Sequence, residues 1–152
     1  MLKVGDTVQE FAAIDQNGNE VTLSGLLADG PIVLFFYPKA MTTGCTKESC
    51  HFRDLAAEFA EVGAQRVGIS ADKVDKQAAF DAKHDLGYPL LSDPDRKVAS
   101  GFGVKRPGPI MNKRATFVIG TDRRILAAIS SELNMDLHAD EALTVLRAAA
   151  SS

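Results

Sequence analysis

The sequence predicts an α/β fold, a central mixed β-sheet flanked by helices on both faces. Three observations carry this. The continuous apolar run Ile32 to Tyr37 reads as a central strand covered on both faces, and Ala64 to Ser70, with Val67 and Ile69 at its core, reads as a second. Segments of helical period separate the strands in βαβαβα order, which argues α/β layering. A late hairpin, Ala115 to Ile119 and Ile125 to Ile129 joined by Gly120-Thr121-Asp122-Arg123-Arg124, makes the sheet mixed. At 152 residues the chain is most simply one domain, 1–152, with no repeat, low-complexity tract or linker to divide it.

The elements follow in order. Gln9 to Ile14 and Val21 to Leu23 are short strand candidates, separated by the turn Asp15-Gln16-Asn17-Gly18-Asn19, whose Asn-Gly pair is a hairpin signal. Ser24 is positioned to cap a short helical turn through Leu26 and Leu27. After the strand ending at Tyr37, a helix is predicted from about Cys45 to Glu61, with Phe52, Leu55, Ala56, Phe59 and Ala60 as its apolar stripe and Gly63 as its stop. A more polar helix runs from about Lys73 to Asp85, with Gly87 just past its end. Tyr88 to Leu91 is a short strand, and Ser92-Asp93-Pro94 leads into a short helix from Asp95 to Ser100. Gly101 to Arg114 is a loop broken by Gly101, Gly103, Pro107, Gly108 and Pro109. The last helix spans about His138 to Ala149, with Ala139, Leu143, Leu146 and Ala150 as its stripe.

Composition narrows the function. Apolar residues at 45% and charged residues at 24% fit a soluble globular protein, and a net charge of -3 with no Lys/Arg block gives no electrostatic case for nucleic acid. No apolar run approaches membrane-spanning length, and Met1 to Asp6 lacks the apolar core of a signal peptide. A cytoplasmic location is the default expectation. Two cysteines in such a chain point to catalysis or redox sensing before a structural disulfide.

Both cysteines lie in Phe36-Tyr37-Pro38-Lys39-Ala40-Met41-Thr42-Thr43-Gly44-Cys45-Thr46-Lys47-Glu48-Ser49-Cys50. Pro38 cannot donate to a sheet ladder and closes the strand. Thr42, Thr43 and Gly44 suit a loop and a helix start, so Cys45 falls in or beside the first helical turn. Unpaired N–H groups and the positive end of the helix dipole favour an anion there, which for a cysteine is the thiolate nucleophile. If Cys50 lies on the same helix, its Cα is about 7.5 Å further along the axis and its side chain points about 140° away. A disulfide needs Cα atoms within roughly 7 Å and converging Cβ vectors. The pair therefore cannot bridge while the helix is intact. Either it never pairs, and Cys50 is an inert core thiol, or the first turns unwind when it does.

Other chemistries fit poorly. Cys-x4-Cys is not the Cys-x-x-Cys of a dithiol exchanger. Cys45, Cys50 and His51 supply only three metal ligands, while His84 and His138 lie far off; each histidine is expected to be exposed or capping. Gly101-Phe102-Gly103 follows a helix and is in the wrong setting for a phosphate loop.

The residues Pro38-x-x-x-Thr42-x-x-Cys45, with Arg114 just before the strand Ala115 to Ile119, resemble the two signatures of the peroxiredoxins. Cys50 makes the chain similar to the bacterioferritin-comigratory-protein or PrxQ branch, the atypical two-cysteine type. The resemblance implies a thioredoxin-like fold and a thiol peroxidase acting on hydrogen peroxide and organic hydroperoxides. It implies that Cys45 attacks the peroxide, that Arg114 stabilises the thiolate and holds the peroxide oxygens, and that Thr42 Oγ hydrogen-bonds thiolate and peroxide. Pro38 would shape the pocket and shield the sulfenic acid, and Glu48 would orient an arginine. Cys50 would resolve the sulfenic acid to an intramolecular disulfide that a thioredoxin-type donor reduces. No metal, haem or flavin is implied, and monomer is the default, with a dimer open. One departure is the compact segment Val104 to Lys113, where that family carries more residues; this leaves the preferred peroxide open.

Taken singly, Thr42 reads equally as an N-cap, Glu48 as a complement to the helix dipole, and Arg114 as an exposed strand-end charge. Competing functions are a protein disulfide oxidoreductase on the same fold, and a redox sensor in which oxidation of Cys45 remodels the helix.

Overall fold

The computed structural model describes residues 1–150. Strands β1 (Ala12–Ile14), β2 (Glu20–Thr22), β3 (Ile32–Phe36), β4 (Gln65–Ser70), β5 (Leu90–Ser92), β6 (Ala115–Ile119) and β7 (Ile125–Ser130) form one mixed sheet in the order β2-β1-β5-β4-β3-β6-β7. Pairs β3–β4 and β4–β5 are parallel and the others antiparallel. The helices are α1 (Leu23–Leu27), α2 (Thr43–Asp54), α3 (Ala56–Glu61), α4 (Val74–His84), α5 (Lys97–Phe102) and α6 (Met135–Ala150).

Alternation along β3 divides the core. Ile32, Leu34 and Phe36 face α1 and α5 through Leu23, Leu27, Val98 and Phe102. Val33, Phe35 and Tyr37 face α2, α3, α4 and α6 through Phe52, Phe59, Phe80 and Leu143. All five β3 residues are buried, as a strand with helices over both faces requires. Phe35 stacks on Phe52, ring centroids 4.2 Å apart, and this fixes α2 over the centre of the sheet. Among the described residues, no helix is long and apolar enough to cross a membrane.

Register brings three chain segments to one end of the sheet. Phe36, last in β3, pairs with Ala115, first in the antiparallel β6, and with Ile69 in the parallel β4. The loop leaving β3, the residue entering β6 and the loop leaving β4 are therefore neighbours. This is the carboxyl end of the parallel strands, where open α/β sheets place their ligand sites.

The expected elements are present, with shifted ends. The helix expected over Cys45 to Glu61 is two helices, α2 and α3, divided at Leu55 (φ -96°, ψ 21°). Arg66 Nη1 donates to the carbonyls of Phe52 and Arg53, at 2.9 and 3.4 Å, which a continuous helix would have used itself. The cap of α1 is Thr22, whose Oγ1 accepts from Gly25 N at 3.1 Å, and not Ser24. The last helix starts a turn early, at Met135, because Asn134 Oδ1 accepts from Leu137 N at 3.2 Å.

Candidate active site

Cys45 is the third residue of α2 and is fully buried. The chain enters α2 from β3 through Pro38 to Thr42, with Thr42 in extended conformation at the cap position. Met41 within that loop has φ 70°, a left-handed conformation that an unbranched side chain occupies at some cost. Ala40 N donates to Asp72 Oδ2 at 2.7 Å, and Tyr37 O–H donates to Gln77 Oε1 at 2.5 Å. Between them, Gln77 Nε2 donates to Ser70 Oγ (3.0 Å), and Ser70 Oγ donates to the same Asp72 oxygen (2.7 Å). A chain of side chains from β4, the β4–α4 loop and α4 thus grips the segment on both sides of Pro38.

Arg114 immediately precedes β6 and is 6% exposed. Its Nη2 donates to Cys45 Sγ at 3.3 Å and its Nη1 to Glu48 Oε1 at 2.7 Å. A Cβ at position 44 would lie 3.3 Å from Arg114 Nη2, so Gly44 leaves room for the guanidinium beside the helix start. Arg114 N donates to Glu132 Oε1 at 3.1 Å, and the partly exposed Arg106 pairs with that same oxygen at 2.8 Å, closing one side of the site. Cys45 thus faces a fixed cation and lies in the first turn of α2, whose leading N–H groups have no intrahelical acceptor. The arrangement can hold a thiolate and, beside it, the oxygens of a substrate.

Of the residues singled out in the sequence, Cys45, Arg114 and Glu48 form one buried cluster. Arg114 is not an exposed strand-end charge. Glu48, one turn on from Cys45, is fully buried and ion-paired, so it does more than complement the dipole. Burial raises its carboxyl pKa to about 7, against the pull of Arg114. Thr42 departs from its expected role: its Oγ1 donates to the Lys39 carbonyl at 2.7 Å, so its hydrogen is not directed at Cys45 and it makes no side-chain cap. Pro38 is half-buried at the strand exit. Cys50 is on the same helix, part-exposed and packed against the α2–α6 core, and both cysteines are free thiols. Tyr88 O–H donates to the Ser49 carbonyl at 2.7 Å, anchoring α2 just ahead of Cys50.

The histidines divide. His51 pairs with Asp140 at the surface (2.8 Å), and His84 closes α4. His138 is neither exposed nor capping: it is fully buried, with Nδ1 2.7 Å from Thr116 Oγ1 and 3.6 Å from Glu48 Oε2. Its place on one stripe with Ala142 and Leu146, four and eight residues on, is the signal that it faces inward. Asp72, Gln77 and Tyr88 carried no comparable sequence signal. Among the described residues, no group of three or more His, Cys, Asp or Glu could hold a metal ion.

Residues 4–128 match the model of the AhpC/TSA family. A putative peroxiredoxin of Mycobacterium tuberculosis is 62% identical over 150 residues, covering 97% of each chain. The crystal structure of peroxidoxin BcpB from the same organism superposes with a TM-score of 0.95 at 60% identity, covering 97% of this chain and 98% of that one. The bacterioferritin comigratory protein of Xanthomonas campestris, in a structure concerned with its alkyl peroxide reduction, gives 0.87 at 28% identity over 95% of this chain and 99% of that one.

Proposed function

The chain belongs to the AhpC/TSA family, among the peroxiredoxins of the bacterioferritin-comigratory-protein branch, and from that membership we propose that Cys45 is the residue through which it reduces hydroperoxides. Members of this family are thiol peroxidases that use peroxide substrates and thioredoxin-type reductants. The observation that carries the assignment is the 3.3 Å contact of Arg114 Nη2 with Cys45 Sγ at the start of α2.

The Cys45 thiolate attacks the terminal oxygen of the peroxide. A sulfur–oxygen bond forms, the O–O bond breaks, and its electron pair leaves with the alkoxide or hydroxide, which takes up a proton. Arg114 and the first-turn N–H groups meet the charge moving between the oxygens, where fixed donors count most. Glu48 holds the guanidinium in plane through Nη1. Thr42 orders the loop through the Lys39 carbonyl, and its hydroxyl oxygen remains an acceptor for a peroxide O–H. Pro38 walls the pocket. Cys50 then attacks the sulfenic acid, releasing water and forming an intramolecular disulfide for a thioredoxin-type donor to reduce. This step requires the first turns of α2 to unwind, while Tyr88 keeps the Ser49 end in place. Hydrogen peroxide and organic hydroperoxides are the substrate class, consistent with the alkyl peroxide chemistry of the Xanthomonas relative.

Replacing Cys45 by serine tests the assignment. Peroxide consumption with a recycling thiol is expected to vanish while the fold, read by circular dichroism, is retained. Activity kept by Cys45→Ser would overturn it.

A further inference from the structure

The buried pair His138 and Glu48 leaves one polar atom unmatched. Glu48 Oε1 is taken by Arg114, but Oε2 is buried and has no hydrogen-bond partner. Facing it at 3.6 Å is His138 Nδ1. The Nε2 of His138 lies 2.9 Å from the Ser131 carbonyl, which can only accept, so Nε2 carries a hydrogen. In the neutral imidazole, Nδ1 is then an acceptor, and it receives the Thr116 hydroxyl hydrogen across 2.7 Å. An ionised Glu48 would set two acceptors against each other in an enclosed space. A buried carboxylate oxygen without a donor is costly, and one added proton, on Oε2 or on Nδ1, removes the conflict.

Charge counting leads to the same requirement. With Cys45 as a thiolate, Arg114 offers one positive charge to two negative groups, Cys45 and Glu48. One extra proton on the Glu48–His138 pair brings the cluster to neutrality and leaves the Arg114 charge to the thiolate. When Cys45 becomes a neutral sulfenic acid, that proton is no longer needed, because an ionised Glu48 balances Arg114.

We propose that Glu48 and His138 together hold one proton while Cys45 is a thiolate, and yield it as the peroxide is cleaved. The inference rests on the assignment of Cys45 above. In balance, the thiolate, the protonated pair and ROOH give Cys45 sulfenic acid, the deprotonated pair and ROH. The hydroxyl of the peroxide stays on sulfur, and the departing alkoxide gains the proton the pair has lost. His138 does not touch the peroxide; it is a positioning residue acting through Glu48. The charged and titratable groups around the pair are Arg114 at the entry to β6, Glu132 from the β7–α6 loop, Glu141 on α6, Tyr88 ahead of β5 and Cys45 on α2. Burial pushes Glu48 up, with Arg114 opposing and Glu132 adding. Burial pulls His138 down, the Ser131 carbonyl opposing. Both directions favour the proton on Glu48 Oε2, with a neutral His138 beside it.

Proton counting during peroxide reduction tests this in the Cys50→Ser background, where the reaction stops at the sulfenic acid. The reduced protein is mixed with hydrogen peroxide in weakly buffered solution near pH 7 with an indicator dye. The ultraviolet absorbance of the thiolate reports how much Cys45 is ionised and how much is consumed. With the pair intact, the expected net proton uptake per thiolate oxidised is close to none. With Glu48→Gln added, which keeps the Arg114 contact but stores no proton, uptake rises to about one. His138→Gln, whose amide N–H can satisfy Oε2 without a proton, is the second variant and gives the same rise. About one proton taken up in the parent protein overturns the proposal, and so does an uptake near zero in both variants. If the thiolate signal does not fall with peroxide at all, the Cys45 assignment itself fails.

Discussion

Arg114 Nη2 lies 3.3 Å from Cys45 Sγ, and both residues are buried. A cation held this close, with little water to screen it, acts on the sulfur far more strongly than a surface arginine would. Its fork also binds Glu48, so the guanidinium is fixed before any substrate arrives. Arg114→Lys retains charge without the fork and is expected to lower the second-order rate constant for peroxide by about 10²- to 10³-fold, the range seen on losing a fixed donor to developing charge. Stopped-flow kinetics with hydrogen peroxide measures it.

Cys50→Ser is expected to leave the first turnover intact and to stall recycling by thioredoxin, with Cys45 passing on to sulfinic acid at high peroxide. Single-turnover thiol oxidation and steady-state turnover, measured side by side, separate the two effects. Undiminished recycling would show that Cys50 is not the resolving residue.

The bond from Ala40 N to Asp72 Oδ2 ties the loop ahead of Cys45 to the end of β4. Asp72→Ala leaves that N–H without its acceptor, at about 1 kcal/mol for a half-exposed bond, which corresponds to about fivefold easier opening. Amide exchange over residues 40–45 is expected to quicken by that factor. Oxidation of Cys45 should slow, while Cys45–Cys50 disulfide formation, which needs the loop open, should not.

Burial raises Glu48 from 4.5 to about 7, and Arg114 only partly offsets this. A carboxyl with its folded pKa raised binds more protons in the native state than in the unfolded state. Its contribution to stability is therefore present below about 4.5 and is lost as pH rises toward about 7. Urea unfolding of the wild type and Glu48→Gln across this range tests the sign. The wild type is expected to lose stability relative to the variant as pH rises, by a few kcal/mol at most (on the order of 1.4 kcal/mol per pKa unit). The lowered pKa of His138 acts the opposite way below 6.5, which is why the comparison is made with a variant at Glu48 itself.

Much of this was legible in the sequence because it rests on local patterns. The apolar run Ile32 to Tyr37, the breaker Pro38 and the helical spacing of Phe52 and Phe59 place Cys45 at a strand-to-helix junction without any tertiary knowledge. The division of the predicted long helix at Leu55 was not legible. No glycine or proline marks it, and the carbonyls it frees are taken by Arg66, from strand β4. The resemblance directs the Thr42 hydroxyl to thiolate and peroxide, but a carbonyl three residues back lies within its reach and takes its hydrogen. His138 is expected from sequence to be exposed or capping, and it is neither. Its burial depends on Thr116 and Ser131, brought to it by the β6–β7 hairpin. Asp72 and Gln77 act through contacts 32 and 40 residues away in sequence, which no spacing rule connects.

The central claim is that Cys45 reacts with peroxide and Cys50 closes on it within one chain. Mixing reduced protein with a small excess of hydrogen peroxide, then counting thiols and weighing the intact chain within seconds, tests it most directly. The expected result is loss of both thiols and a mass lower by about 2 Da, the two hydrogens removed on forming a disulfide. Two untouched thiols at unchanged mass would contradict it.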